Sequence, residues 1–250
     1  MAKSCTRLDK LLVDRGLTAS RERAQALILA ARVLVDGRKV TKTGQQVSVD
    51  SKIELTGADM PYVSRGGLKL EHAIATFGIG VEGMVAMDVG ASTGGFVDCL
   101  LQRGARRVYA VDVGYGQLAW KLRQDPRVVV LEKHNIRFLP RDLVPEAVQV
   151  ATMDTSFISL KLVIPAVIPF LARGARLIAL IKPQFEVGRS QVGKGGVVKD
   201  PELHRRVCES LAEFCRESGF TAIDITPSPV LGPKGNREFL LTALFSPDTP

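Results

Sequence analysis

The spacing of apolar positions changes three times along this chain. In "RLDKLLVDRGL" Leu8, Leu11 and Leu12 recur at helical intervals, and Gly16 supplies a stop. In "TASRERAQALILAARV" a second stripe, Ala24, Leu27, Ile28 and Ala31, follows Ser20, a residue suited to an N-cap. "VLVDGRKV" then alternates about an Asp-Gly turn and "QQVSVDSKIEL" alternates again, which is the period of short strands. Two helices backed by small strands are therefore expected over residues 1–58. "TGADMP" (56–61), with its Gly and Pro, marks a boundary, and a linker is placed at 59–63.

From residue 64 to 250 the pattern is different. "VSRGGLKL" opens a helix with Ser64 as expected N-cap, an apolar face of Leu70, Ala73, Ile74 and Phe77, and Lys69 at the edge of that face. Seven apolar runs follow: "VAMDVG", "RRVYAVDVG", "VVVLEKHN", "VQVATMDTSF", "RLIALIKP", "TAIDITPSPV" and "REFLLTALF". Alternation with helical stretches predicts a doubly wound, mainly parallel α/β sheet of seven strands. The last two runs lie a turn apart, across "LGPKGN", and should pair antiparallel. In the last long helix, "ELHRRVCESLAEFCRESGF", the expected buried stripe is Leu203, Val207, Leu211 and Phe214.

Charge adds a partner class. The net charge is +8, and residues 1–60 hold 11 Lys/Arg against 7 Asp/Glu, so positive density is concentrated in the first quarter of the chain. A polyanion is the natural partner. Arg7, Arg21, Arg23, Arg32, Arg38, Lys39 and Lys42 fall outside the apolar stripes and are the candidate phosphate contacts. This segment resembles the S4 RNA-binding domain over roughly residues 5–58. It departs where that family usually has Gly before the first strand; here Ala31 stands. The four cysteines form no C-x-x-C pair, so no metal site is expected. The start lacks a signal-peptide core, and the longest apolar run, "LVIPAVIPFLA", is too short to span a bilayer. A cytoplasmic protein that is monomeric in the free state, with no membrane partner, is expected.

The first long strand ends in "MDVGASTGGF", with Gly90, Gly94 and Gly95 spaced D-x-G-x-x-x-G-G rather than as a pyrophosphate-binding G-x-G-x-x-G. Asp112 closes the second strand, where a carboxylate grips ribose hydroxyls, and Asn135 closes the third, near an adenine edge; His134 reads as structural. Asp88, ahead of the loop, suits a cationic cofactor. S-adenosylmethionine fits all four features, and Asp88, Gly90, Ser92, Thr93, Gly94, Gly95, Phe96, Asp112, Asn135 and Asp154 are its expected contacts.

The fourth strand ends "MDTSFIS", without the prolines that amine methylation uses, and no cysteine stands where pyrimidine C5 methylation needs one. Instead, Asp154 and Lys182 close adjacent strands, Glu238 begins the last, and Lys69 starts the first helix. Strand carboxyl ends are where open α/β sheets bind ligands. Two lysines and two carboxylates suit abstraction of a hydroxyl proton. "EVGRSQVGKGGVVKDPEL" (186–203) reads as a mobile basic loop, an RNA-facing lid using Arg189, Lys194 and Lys199; Arg65 joins the RNA-facing set.

"SRGGLKL", "DVGASTGGF", "MDTSFISL", "IKPQFEVG" and "GNREFLL" together resemble the TlyA family, S4-linked ribosomal RNA 2′-O-methyltransferases sometimes named hemolysins, whose catalytic domain is similar to that of FtsJ-type ribose methyltransferases. The resemblance implies a class I, Rossmann-like fold and a K-D-K-E tetrad of Lys69, Asp154, Lys182 and Glu238, with Lys182 the central lysine. It further implies S-adenosylmethionine as cofactor and a ribose, cytidine in the family, of ribosomal RNA as acceptor.

Overall fold

In the computed structural model, which describes residues 4–18, 20–29, 31–56 and 60–247 (the Arg189 side chain excepted), the first apolar stripe folds as α1 (Leu8–Asp14) and the second as α2 (Arg21–Leu29). Leu8, Leu11 and Leu12 pack on Ala24, Leu27 and Ile28, over Val33, Val35, Val40 and Val47. Ser20 caps α2, its Oγ accepting the Arg23 amide at 3.2 Å. Ala31 takes the left-handed turn (φ 54°) despite its Cβ, at about 1–2 kcal/mol over a glycine. Asp36 and Gly37, both at positive φ, make the tight turn between β2 (Val33–Val35) and β3 (Arg38–Val40). β5 (Ile53–Leu55) pairs on the other side of β2, while β1 (Cys5–Arg7) pairs with β4 (Gln46–Ser48).

The chain divides into two units, Met1–Asp59 and Met60–Pro250. Residues 57–59, on which part of the expected linker falls, lie outside the described residues. Residues 60–63 are not a free connector. Tyr62 is buried in the second unit's core with its hydroxyl donating to Glu71 (2.8 Å), and the Val63 amide donates to the buried Asp98 (2.8 Å).

In the second unit the seven apolar runs become β6 (Val85–Val89), β7 (Arg107–Asp112), β8 (Val128–Glu132), β9 (Val148–Met153), β10 (Leu171–Ile181), β11 (Phe220–Pro227) and β12 (Phe239–Phe245). They form one sheet in the order β11-β12-β10-β9-β6-β7-β8. β12 runs antiparallel to both neighbours, and the remaining pairs are parallel. All five residues of the central β6 are buried, as a strand covered on both faces requires. α3 (Gly66–Phe77) and α4 (Gly95–Gln102) share one core with alternate strand residues such as Ala86, Ile178 and Leu180. α6 (Leu160–Val167) and α8 (Pro201–Glu217) share the other with Met87, Leu177 and Ala179. Two shorter helices, α5 (Trp120–Arg123) and α7 (Pro183–Glu186), follow β7 and β10. The buried face of α8 is His204, Val207, Leu211 and Cys215; the expected Leu203 and Phe214 sit at its margins, half-buried. A buried histidine carries half the difference, because its ring packs on Phe239.

Candidate active site

The carboxyl ends of β6 and β9 approach so closely that the turn after β6 has room for glycine alone. Gly90 has φ 85°, and a Cβ there would lie 2.8 Å from the Asp154 carbonyl oxygen. The loop then runs to Gly94, whose φ of 93° opens α4. The Asp112 carboxylate holds it, accepting the Ser92 amide and, through its other oxygen, the Gly114 amide, both at 2.7 Å. Asp112 thus builds the loop as well as lining the cavity beside it. Asn135 plays a similar double part, since its Oδ1 accepts the Arg137 amide while the residue lines the same cavity. His134 lines that cavity too, and its Nδ1 lies 2.7 Å from the Glu132 carbonyl oxygen.

Two lobes meet at Gly90, Ser92, Asp154 and Ser156. One holds Asp112, Asn135 and an apolar wall of Val111, Ile136 and Ile158. The other gathers Lys69, Asp88, Thr93, Gly95, Phe96, Lys182 and Glu238. Of the expected cofactor contacts, Gly94 is the one that lines neither lobe; it bends the backbone between them.

Lys182 follows the last residue of β10, and Pro183 turns the chain into α7. Its Nζ lies 2.6 Å from Asp154 Oδ1 and donates to Ser156 Oγ at 2.9 Å. Lys69, in the first turn of α3, donates to Glu238 Oε2 at 2.5 Å. Both lysines are 8% exposed. The four chemistry-bearing residues therefore arrive as two ion pairs, Lys182–Asp154 and Lys69–Glu238, in one cleft.

Lys69 reaches the cleft because the start of α3 is pressed against the start of α4. A Cβ on Gly67 would strike the Tyr62 ring, and one on Gly95 would strike Ser64 Oγ. Arg65 already has helical backbone angles, and Ser64 Oγ accepts the Gly66 amide at 3.3 Å, the hydrogen bond by which a serine caps a helix start.

Among the described residues that line these lobes, three buried polar atoms have no protein partner: Asp88 Oδ2, Thr155 Oγ1 and Glu238 Oε1. Asp88 is 1% exposed, and its other oxygen accepts from Thr152 Oγ1 at 2.7 Å. Burial pushes its carboxyl up to about 8; the Thr152 hydrogen bond opposes this, and the charges of Asp154 and Asp112 add to it.

Ser156 and Glu186 escaped the sequence reading. Glu186, at the end of α7, accepts from Ser159 Oγ (2.6 Å) and the Leu160 amide (2.9 Å), so it ties the Lys182 segment to the loop carrying Asp154 and Ser156. Burial pushes its carboxyl up. Its place inside "IKPQFEVG" was the available signal.

The candidate RNA contacts divide. Arg7 and Arg21 converge on Asp9, which has no solvent exposure and also accepts from Gln25. The Arg7 hydrogen bond leads in holding the Asp9 carboxyl well below the usual range. Arg38, Lys39 and Lys42 are exposed, and Arg23 and Arg32 are half-buried. Arg65 is exposed and lines the cleft. Lys194 and Lys199 are exposed; the Arg189 side chain lies outside the described residues. The basic segment is not the free loop expected. It folds into a Gly193–Val197 bridge and is tied down at Gly196 and Val198 by Asn236.

The FtsJ-like methyltransferase family matches residues 62–245, and the S4 domain family matches residues 6–53. A Mycobacterium tuberculosis protein named 16S/23S rRNA (cytidine-2′-O)-methyltransferase TlyA is 47% identical over 94% of this chain and 88% of its own length. Hemolysin A of Brachyspira hyodysenteriae is 42% identical over 94% of this chain and 98% of its own. A solved Streptococcus thermophilus protein bearing a hemolysin name is 43% identical with a TM-score of 0.78, covering all of this chain and 91% of that one.

Proposed function

Because this chain belongs to the S4-linked, FtsJ-like methyltransferases of the TlyA family, we propose that it uses S-adenosylmethionine to methylate a ribose 2′-hydroxyl of ribosomal RNA, with cytidine as the acceptor nucleoside. The observation that carries the reading is the pair of lysine–carboxylate contacts, Lys182–Asp154 and Lys69–Glu238, in a cleft continuous with the glycine-loop lobe.

The residues present fit the cofactor. Gly90, Ser92 and Thr93 carry the loop along the two lobes, Asp112 and Asn135 line the nucleoside side, and the unpartnered Asp88 oxygen suits a cation. When bound, S-adenosylmethionine supplies an electrophilic methyl group on a sulfonium leaving group. Lys182 acts on the acceptor. In its neutral form an amine has two N–H donors and one lone pair; Asp154 and Ser156 take the two donors, which leaves the lone pair for the hydroxyl proton. Proton removal of this kind contributes roughly 10²–10⁴-fold, and holding hydroxyl and methyl in line adds the entropic advantage of a fixed pair. Lys69, kept in place by Glu238, supplies positive charge across the cleft, and Arg65 at its rim suits an approaching phosphate.

The exposed Arg38, Lys39 and Lys42 of the first unit support RNA binding there. We place the enzyme in the cytoplasm with its ribosomal substrate, as a monomer when free. No described helix is long and apolar enough to cross a membrane, so the hemolysin name of one relative finds no spanning element here. The test is methyl transfer from labelled cofactor to purified ribosomal subunits, with 2′-O-methyl mapping. Wild type should modify a cytidine ribose, and Lys182→Ala should lose transfer while still binding S-adenosylhomocysteine. Equal incorporation by both proteins would remove Lys182 from the mechanism.

A further inference from the structure

Glu238, just before β12, is held by Lys69 and, through its backbone carbonyl, by the Ser228 amide at 2.9 Å, but neither contact sets where its carboxylate sits in the cleft. The turn before it does. Asn236, two residues upstream, is 3% exposed and uses its whole side chain. Oδ1 accepts the Val198 amide at 3.1 Å, and Nδ2 donates to the carbonyls of Gly196 (3.0 Å) and Pro233 (3.3 Å). Its backbone carbonyl accepts the Gly232 amide at 2.9 Å, closing the turn on itself. Val198 is in turn pinned through its carbonyl, 2.9 Å from His204 Nε2, and the His204 ring packs on Phe239, the neighbour of Glu238.

At the far end of this turn stands Gly232, with a φ of −70° that any residue can adopt. Its lack of a side chain matters for space instead. A Cβ built there would overlap Glu238 Oε1 and crowd Cδ at 2.6 Å. Glu238 is 2% exposed and bonded to Lys69, so its carboxylate cannot swing aside without leaving that partner. The turn thus meets Glu238 in two ways: Asn236 sets where the turn sits, and bare Gly232 leaves the volume that the carboxylate fills.

We propose that the 232–236 turn, cross-linked by Asn236 to the 193–198 bridge, is the device that positions Glu238 against Lys69. Asn236 and Gly232 are positioning residues, acting through Glu238 and touching no reacting atom. The link to turnover rests on the function proposed above; the link to the Lys69–Glu238 pair stands on the geometry alone.

The experiment reads both lysines separately. Wild type, Asn236→Ala, Gly232→Ala and Glu238→Gln are labelled by brief reductive methylation, and modification at each lysine is quantified by mass spectrometry. In wild type Lys69 and Lys182 are both slow. In all three variants Lys69 should react at least tenfold faster while Lys182, held by Asp154 and Ser156, stays slow. Partial unfolding would raise the two together, and that outcome, like unchanged Lys69 reactivity in Gly232→Ala, overturns the proposal. Methyl transfer is then measured on the same samples, where a 10- to 100-fold fall in kcat without a matching change in KM is expected. Gly232→Ala should cost less than twofold in a Glu238→Asp background, because the shorter carboxylate no longer fills the contested space; full additivity would count against the mechanism. Selective exposure of Lys69 with undiminished transfer would leave the positioning device standing and refute the role given to the pair in catalysis.

Discussion

Asp88→Asn isolates a cleft carboxyl whose charged neighbours, Asp154 and Asp112, share its own sign. Asparagine keeps the acceptor for Thr152 Oγ1 and nearly the same volume, but cannot ionise. With its carboxyl raised to about 8 by burial, the folded protein holds a proton that the unfolded chain releases near the ordinary aspartate value of about 3.9. In the window between those values the native state binds more protons than the unfolded state. Stability from this group is therefore full at the acid end and falls as pH rises. The slope approaches its one-proton limit in this window, so wild type should lose roughly 2–3 kcal/mol relative to Asp88→Asn between pH 5 and pH 7. For a unit of this size that corresponds to a relative drop of about 5–10 °C in Tm. Differential scanning fluorimetry of the ligand-free proteins, at matched ionic strength, measures it directly. Saturating S-adenosylmethionine should flatten the difference, because a cation beside Asp88 Oδ2 favours the ionised form. Parallel wild-type and variant profiles without ligand would refute the argument: Asp88 would then be ionised in the folded protein and paired with something the geometry does not contain.

Three further outcomes follow from named contacts. Glu186→Ala orphans the buried Leu160 amide and frees Ser159, which should cost about 1–3 kcal/mol in urea unfolding and lower kcat more than cofactor affinity; Glu186→Gln, which keeps acceptor capacity, should lose less. Asp9→Asn should destabilise the first unit by about 2 kcal/mol, below the usual figure for a broken buried pair because Arg7 and Arg21 are half in water. Its carboxyl is depressed, so wild-type stability is present above about pH 4 and lost on acidification, whereas the variant should show no such loss on circular dichroism titration. Gly90→Ala combines an unfavourable left-handed φ with a clash against the Asp154 carbonyl, and calorimetry with S-adenosylhomocysteine should show affinity reduced at least tenfold.

What could be read from the sequence is what depends on neighbours along the chain. Period-two and period-3.6 patterns placed the strands and helices, because a side chain's face is decided by its own backbone. The Asp36-Gly37 turn and the Ser20 cap are equally local. The candidate catalytic residues at the strand ends were legible for a related reason. In a doubly wound sheet, residues just past the strands share one edge, so Asp154 and Lys182 declare their location without any knowledge of their partners. Who pairs with whom was a different matter. Lys69 and Glu238 lie 169 residues apart, and their contact exists because three glycines let α3 start against α4 while β12 inserts antiparallel beside β10. Arg7 and Arg21 looked like free cations until α1 and α2 packed and brought Asp9 between them. The basic segment looked like an untethered lid because nothing in its own residues announces Asn236, 38 positions beyond Val198. Asp88 reads in the sequence as an ordinary carboxylate, and only enclosure by the finished sheet pushes its carboxyl up. Local geometry is written in local sequence; desolvation and long-range pairing arise from the closing of the whole fold, and those decide which of the candidate groups act together.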